Sequence, residues 1–317
     1  MVFHLINRTV LRLPPPKVML DFSNVKSIED LSLEPIEQWC LVGEHDACHC
    51  NNPLLPEGRQ EDARWEKTHH ANKNAMQARD LDDLDVIFLG DSITEGWQGH
   101  FYSRPDERVN GARREFQSLF SKKHKAKYEG IPQGISADTI PNLLWRIQNG
   151  EIRTYSEFSD KPSARLTATP LVFWVLIGTN DLGNTNCSPD IIVLGIIRIV
   201  EELRAREPTA LVVINGLLPR THDTSSGYVM QSAGKKPILW PAIKSINEQL
   251  QRYATKREQV HYYDCSHIFL KNYTVTDDAL RIDRSLMSDF VHPNAAGYRA
   301  WGADIVNKLD SLLDLDS

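Results

Sequence analysis

No apolar run in this chain reaches the roughly 20 residues that a membrane-spanning helix requires. The longest, Leu171 to Ile177 and Ile191 to Ile197, have the length of elements in a soluble core. Positive charge is not in excess either. With 36 Lys+Arg against 42 Asp+Glu the net charge is −6, which argues against general affinity for nucleic acid or anionic membrane. The basic run Lys122-Lys123-His124-Lys125 is too short to track a phosphate backbone and reads as a solvated surface. No internal repeat is visible, so repeat architectures are excluded. Met1 to Leu20 lacks a clean apolar h-region and a small-residue cleavage site, despite Arg8, Arg12 and the run Pro14-Pro15-Pro16, and no signal peptide is read there.

Cysteine is sparse and odd in number, five in all. Cys40, Cys48 and Cys50 cluster near the N-terminus, while Cys187 and Cys265 lie far apart. With His45 and His49 nearby the cluster could bind zinc, but it fits no standard pair of CxxC pairs. A disulfide stapling a loop-rich extension is the favoured reading, and free thiols are the plain alternative. Asn7-Arg8-Thr9 and Asn272-Tyr273-Thr274 are glycosylation sequons, a triplet common by chance. Together these features lean toward a secretory setting and leave a cytoplasmic one open.

What is present is the composition of a globular protein, 41% hydrophobic and 25% charged, in 317 residues. Residues 1–60 show little periodicity and are rich in Pro, Asn and Asp, as an irregular extension would be. Residues 61–84 form a helical lead-in, with Glu61 to Arg79 strongly helix-compatible. Residues 85–317 then alternate between strands and helices. Strands are expected at Asp85–Leu89, Lys127–Glu129, Leu171–Ile177, Leu211–Ile214 and Val260–Tyr263. Helices are expected at Ile140–Gln148, from Ser188-Pro189 to Arg206, at Trp240–Arg257 and at Asn294–Leu313. The run from Leu171 to Ile177 is apolar throughout, which means burial on both faces of a parallel sheet. The pattern predicts a three-layer α/β/α sandwich on a parallel, flavodoxin-like five-stranded sheet.

In such sheets ligands bind beyond the carboxyl ends of the strands. Gly90-Asp-Ser-Ile-Thr-Glu-Gly96 follows the first strand, Gly178-Thr-Asn-Asp181 follows the third, and Asp289-Phe-Val-His-Pro-Asn294 precedes the closing helix. Each alone has a dull explanation as a turn or a helix cap. Jointly they place a serine, an amide and an Asp-x-x-His where one crevice would collect them.

These segments resemble the SGNH (GDSL-type) hydrolases. Phe88-Leu-Gly-Asp-Ser-Ile-Thr94 is similar to their block I, Gly178 to Asp181 to block III, and Asp289 to His292 to block V. Within that family the chain most resembles the catalytic subunits of the intracellular platelet-activating-factor acetylhydrolase group. Gly134-Ile-Ser-Ala-Asp138, Leu144-Trp-Arg-Ile-Gln-Asn-Gly-Glu151 and Gly216-Leu-Leu-Pro-Arg220 carry that likeness. The resemblance implies Ser92 as nucleophile, His292 as its base and Asp289 as the group that orients the imidazole. It implies oxyanion donors from the Ser92 and Ala137 backbones and the Asn180 side chain.

Block II departs from the family, with Ala137 where glycine is usual. Alanine keeps the N–H, but a positive φ there would be strained. Asp91 and Gly134 are assigned support rather than chemistry. Arg220 is read equally as a contact to a polar substrate group or as a structural ion pair. Thr221 to Lys236 is read evenly as a pocket-shaping segment or a passive loop. The implied reaction is hydrolysis of short carboxylic esters, acetyl above all, carried on a lipid, sugar or other small alcohol, with no metal or organic cofactor. A non-catalytic binding protein on this scaffold, and an acyltransferase or long-chain lipase, are the alternatives. Asp277, Asp278 and Asp283 compete with Asp289 for the acid position, and spacing to His292 favours Asp289.

Overall fold

The alternation of short apolar runs with amphipathic segments resolves into one five-stranded parallel sheet. Its strands are β1 (Val86–Gly90), β2 (Gly130–Gly134), β3 (Val172–Leu176), β4 (Leu211–Asn215) and β5 (Val260–Tyr263). Spatial order is β2-β1-β3-β4-β5, the flavodoxin-like order. In register, Val86 stands beside Gly130 on one side and Val172 on the other. The chain is seen as a computed structural model that describes residues 20–41, 47–152, 169–231, 234, 236–274 and 276–313. The Asn7-Arg8-Thr9 sequon, the Pro14-Pro15-Pro16 run, nearly all of Met1 to Leu20, and His45 lie outside those residues.

Every residue of β1 and β3 is buried, as a sheet covered on both faces requires. Alternation sends Phe88 and Trp174 to one face. There Phe88 meets Phe116 and Phe120 of α3 (Ala112–Phe120), and Trp97 bridges to Tyr298 and Trp301 of the closing helix. The helices before and after these are α1 (Ala63–Gln77), α2 (Ser92–Glu95), α4 (Ile140–Arg146), α5 (Thr179–Gly183), α6 (Pro189–Arg206), α7 (Trp240–Ala254), α8 (Ser266–Phe269) and α9 (Ala295–Leu313). Helices α4, α6 and α7 pack in series, and α3 packs on α9. Among the described residues, no helix is long and apolar enough to cross a membrane.

The second strand departs from the expected Lys127–Glu129. Lys127 Nζ and Tyr128 Oη instead both bond Asp310 at 2.7 Å, and pairing begins at Gly130. The paired segment, Gly-Ile-Pro-Gln-Gly, is a poor strand former by composition. It pairs because it is an edge strand: Pro132 needs no ladder bond on its outer side. Gly130 also lets the backbone sit under two rings, since a Cβ there would stand 3.0 Å from Phe120 Cβ and 3.2 Å from the Phe88 ring.

Upstream of α1 the chain runs over the domain surface, with Phe22, Val25 and Ile36 buried in the common core. Lys256 and Arg257 bond the Ser23 hydroxyl and carbonyl at 2.6 and 3.1 Å. Further on, Ser188 N donates to Trp39 O, Leu41 N to Asn186 O, and His49 N to Thr185 O, at 2.7, 2.7 and 3.0 Å. The Cys50–Cys187 disulfide completes the attachment, and Cys40–Cys48 links two residues within the upstream segment. Their sulfurs are consumed, so the zinc alternative lacks its thiolates. Cys265 is the free cysteine, buried, with burial pushing its thiol up. Asn272 of the second sequon is exposed, and its amide donates to Ala279 O at 3.2 Å.

Cys50 and Cys187 are 137 residues apart, and a link closing so long a loop restricts the unfolded chain strongly. The double replacement Cys50→Ala/Cys187→Ala should lower unfolding free energy by about 2–5 kcal/mol in urea titration. An unchanged midpoint would show that the link does not stabilise the fold.

Candidate active site

The nucleophile candidate stands where β1 turns into α2. Gly90 is required by contact, because a Cβ there would collide with the Leu176 carbonyl of β3 and the Thr94 hydroxyl. Asp91 caps α2 by accepting from Ile93 N at 2.9 Å. Tyr298 Oη of α9 holds the same turn by donating to Ile93 O at 2.7 Å. Ser92 thus sits on a short helix pinned from two sides. Burial pushes the Asp91 carboxyl up to about 7, against the Ile93 amide and Arg220, which favour its charged form.

Ser92 Oγ lies 2.9 Å from His292 Nε2, and His292 Nδ1 lies 2.7 Å from Asp289 Oδ2. The other Asp289 oxygen accepts from Val291 N at 3.0 Å and His292 N at 2.8 Å. This turn makes the i, i+3 spacing work: the carboxylate folds back on the backbone that follows it and on the ring. Phe290 takes the bend at φ 60, with its ring buried against Gly227. Desolvation raises the Asp289 carboxyl's pKa. Hydrogen bonds from the His292 ring, its charge, and the two backbone donors outweigh this and hold it well below the usual carboxylate range. Arg108 Nη1 adds a contact at 3.3 Å, and Phe101 packs on the His292 ring at 4.9 Å between centroids.

The other three acids are occupied elsewhere or carry no contact to the imidazole. Asp283 pairs with Lys271 and accepts from Ser285, and Asp277 pairs with Lys244 and accepts from Trp240. Asp278 sits in the same short turn as Asp277.

Ala137, Ser92, Asn180 and His292 share one cavity of about 560 Å³. Ala137 has φ 63, so the strain foreseen for a non-glycine residue is present. It is held by a turn in which Asp138 N donates to Ile135 O at 3.2 Å. Glu95 fixes that turn from α2, accepting from Ser136 N and Oγ at 2.8 and 2.6 Å. Gly134 allows the close approach: a Cβ there would collide with Glu95 N, and would reach Asp91 O at 2.5 Å.

Asn180 enters the cavity from α5. Gly178, at φ 114, makes the turn out of β3. Asn180 Nδ2 donates to Asp138 O at 2.9 Å, and its Oδ1 accepts from Asn184 Nδ2 at 2.8 Å. Asn184 Oδ1 in turn accepts from Arg220 Nη2 at 2.9 Å. This relay sets which way the Asn180 amide faces. Arg220 forms no ion pair among the described residues; its Nη1 donates to Thr179 O at 2.8 Å.

Beneath both loops lies Arg146 of α4, fully buried. It donates to Gly90 O at 2.7 Å and Gln133 O at 3.3 Å, and pairs with Asp138 at 2.7 Å and with Glu151. Asp138 also accepts from Trp65 Nε1 of α1 at 2.6 Å.

The catalytic, oxyanion and supporting candidates meet here: Ser92, His292, Ala137 and Asn180 line the cavity, Asp289 stands behind the His292 ring, and Asp91 and Gly134 stand behind the Ser92 and Ala137 turns. Glu95, Asn184, Arg146 and the cavity-lining Phe101, Arg104 and Arg108 were not singled out. Glu95 stands inside the quoted Gly90–Gly96 segment, and its position one turn after Ser92 was the available signal. Among the described residues, no group of three or more His, Cys, Asp or Glu side chains could hold a metal ion.

Known proteins resemble this chain in sequence and in fold. The profile of the GDSL-like Lipase/Acylhydrolase family matches residues 88–300, more than half of the chain. The chain is 28% identical over 247 residues to platelet-activating factor acetylhydrolase IB subunit alpha2 of Rattus norvegicus, covering 78% of this chain and 83% of that protein. It is 26% identical over 249 residues to the alpha1 subunit of Homo sapiens, covering 78% and 84%. Among solved structures, a GDSL-like lipase from Bacteroides thetaiotaomicron superposes with a TM-score of 0.52 at 20% identity, over 79% of this chain and 99% of that one. That last likeness concerns the fold.

The raised Asp91 carboxyl gives a stability test with a definite sign. A carboxyl whose pKa is higher folded than unfolded destabilises the fold as pH rises from its ordinary value toward the folded one. Asp91→Asn keeps an oxygen for the Ile93 cap and removes that charge. The variant should gain on the parent as pH goes from 5 to 8, by on the order of 2–4 kcal/mol. Thermal melts across that range check it, and a pH-independent difference would refute the assignment.

Proposed function

The chain belongs to the GDSL-like lipase/acylhydrolase family and is a carboxylic ester hydrolase; from that premise we propose that it cleaves short-chain esters, acetyl esters above all, through an acyl intermediate on Ser92. The observation that carries this reading is the unbroken line Ser92–His292–Asp289, with contacts of 2.9 and 2.7 Å.

His292 Nε2 takes the proton from Ser92 Oγ as the oxygen attacks the ester carbonyl. Asp289 holds the ring in the tautomer with Nδ1 protonated and stabilises the imidazolium that forms. The tetrahedral intermediate bears its negative charge beside the Ser92 and Ala137 backbones and the Asn180 amide. Asn184 orients that amide, so that its nitrogen rather than its oxygen serves the developing charge. His292 then protonates the departing alcohol, and water repeats the sequence on the acyl-enzyme.

Support for a short acyl group comes from the cavity and from the relatives. Most residues lining it carry polar or charged side chains, its apolar members being Phe101, Pro105, Ala137 and Val291, and among the described residues these form no extended apolar channel. The curated relatives are named acetylhydrolases.

Ser92→Ala should abolish ester hydrolysis while leaving the melting midpoint within a few degrees. A fluorophosphonate probe should label Ser92 in the parent and fail to label the His292→Ala variant, read by mass spectrometry. Full turnover by Ser92→Ala would sink the proposal. The acid is tested separately: Asp289→Asn should lower kcat by about 10⁴-fold, the loss typical when the imidazole loses its orienting carboxylate. Asp283→Asn should stay within a few-fold of the parent. The reverse result would move the acid to Asp283.

A further inference from the structure

Four arginines, Arg64, Arg104, Arg108 and Arg220, line the cavity in front of Ser92, with Asp106 as the one carboxylate among its lining residues. Even after the two that pair with carboxylates are set aside, two arginines remain in a chain whose net charge is −6. An acidic protein has therefore gathered cations at the one place where substrate must enter.

Two of the four are neutralised by neighbours. Arg64 pairs with Asp62 at 3.1 Å, and Arg108 with Asp106 at 2.9 Å and Asp289 at 3.3 Å. Arg104 and Arg220 have no carboxylate partner among the described residues. Arg220 is the more telling case, since it is only 9% exposed. Its Nη1 and Nη2 donate to Thr179 O and Asn184 Oδ1, which are neutral acceptors, and its buried Nε has no hydrogen-bond partner. Gly183 makes room for it, since a Cβ there would collide with the guanidinium carbon. The surroundings thus fix this cation with no carboxylate in direct contact: Asp91 and Asp289 act on it only through space, and its Nε is left without an acceptor. Arg104 stands on the rim, opposite Phe101 in the hairpin formed by His100–Phe101 and Arg104–Pro105. Phe101 packs on His292, so this second cation lies on the side from which the alcohol leaves.

We propose that the natural substrate is an ester bearing an anionic group, a carboxylate or a phosphate, received by Arg220 and Arg104. The inference rests on the ester hydrolysis proposed above. Guanidinium offers planar, charged donors suited to both oxyanions, and a low-dielectric cavity strengthens the attraction. The anion supplies the direct acidic partner that neither arginine has among the described residues.

The test compares matched ester pairs on the purified chain: 4-acetoxybenzoate with its methyl ester, 4-acetoxyphenyl phosphate with 4-acetoxyanisole, and 4-nitrophenyl hemisuccinate with its methyl ester. Each kcat/KM is divided by the rate of hydroxide hydrolysis, which removes intrinsic reactivity. The anionic member of at least one pair should be favoured by on the order of tenfold at low salt. The benzoate and phosphate pairs distinguish the two anions, and the hemisuccinate pair reports an anion on the acyl side. The preference should shrink in about 0.5 M NaCl. Arg220→Gln and Arg104→Gln should each reduce it severalfold. Because the quantity is a ratio within one variant, a general effect of Arg220→Gln on Asn184 cancels. Should that variant fail to fold, Arg104→Gln at the exposed rim still decides. Equal or faster turnover of every neutral member, or a ratio unmoved by the substitutions, overturns the inference. Absence of Ser92-dependent turnover with any of the esters would instead strike the ester-hydrolase reading beneath it.

Discussion

Arg146 is the group around which the carboxyl edge of the sheet is organised. Its guanidinium reaches the last carbonyl of β1, the Gln133 carbonyl of the edge strand, and the Asp138 carboxylate below the Ala137 turn. A fully buried cation survives there because Asp138 and Glu151 compensate its charge and backbone carbonyls take its remaining donors. Burial raises Asp138 to about 6, and Arg146, Trp65 and Arg59 act against that rise. Losing either partner of such a pair strands a charge in the interior, the most damaging kind of single change. Arg146 thus braces from below the strands that carry Ser92 and Ala137 while touching neither, and Glu95 links their turns from above.

The edge strand and the extension depend on that arrangement in different ways. The glycines of Gly130–Gly134 leave the second strand little side-chain packing of its own, and it is held by pairing with β1 and by the Arg146 bond. The extension works from the far side. Its backbone grips Thr185, Asn186 and Ser188, directly after the residue that orients the Asn180 amide. Peripheral chain and cavity are therefore linked through a few residues of loop.

Elements with strong local signals were legible in the sequence. The continuous apolar runs of β1 and β3 and the Ser188-Pro189 helix start lie where they were read. So was the joint position of Ser92, Asn180 and His292, because the loops at one edge of a parallel sheet converge. Gly130–Gly134 was not legible as a strand, since its pairing comes from tertiary contact and not from propensity. Glu95 and Arg146 were missed for a common reason: a charged residue reads as surface until its buried partners, far away in sequence, are known. The cavity arginines come from a helix, a hairpin and a loop with no shared period. The cysteines suggested a staple but not that Cys187, far downstream, would supply the second end.

The Cys50–Cys187 bond closes a covalent ring, and the candidate chemistry straddles its boundary. Ser92, Ala137 and Asn180 belong to the ring; Asp289 and His292 belong to the chain beyond it. Ser92, Ala137 and Asn180 therefore stay in one covalently closed unit, while His292 is held against it by non-covalent contacts, the pairing of β4 with β3, the α9 contact of Tyr298 and its own bond to Ser92. Partial opening of this molecule would separate the base from the serine while the ring kept its strands together. A backbone cut inside the ring would leave two pieces still joined as one molecule until the disulfide is reduced.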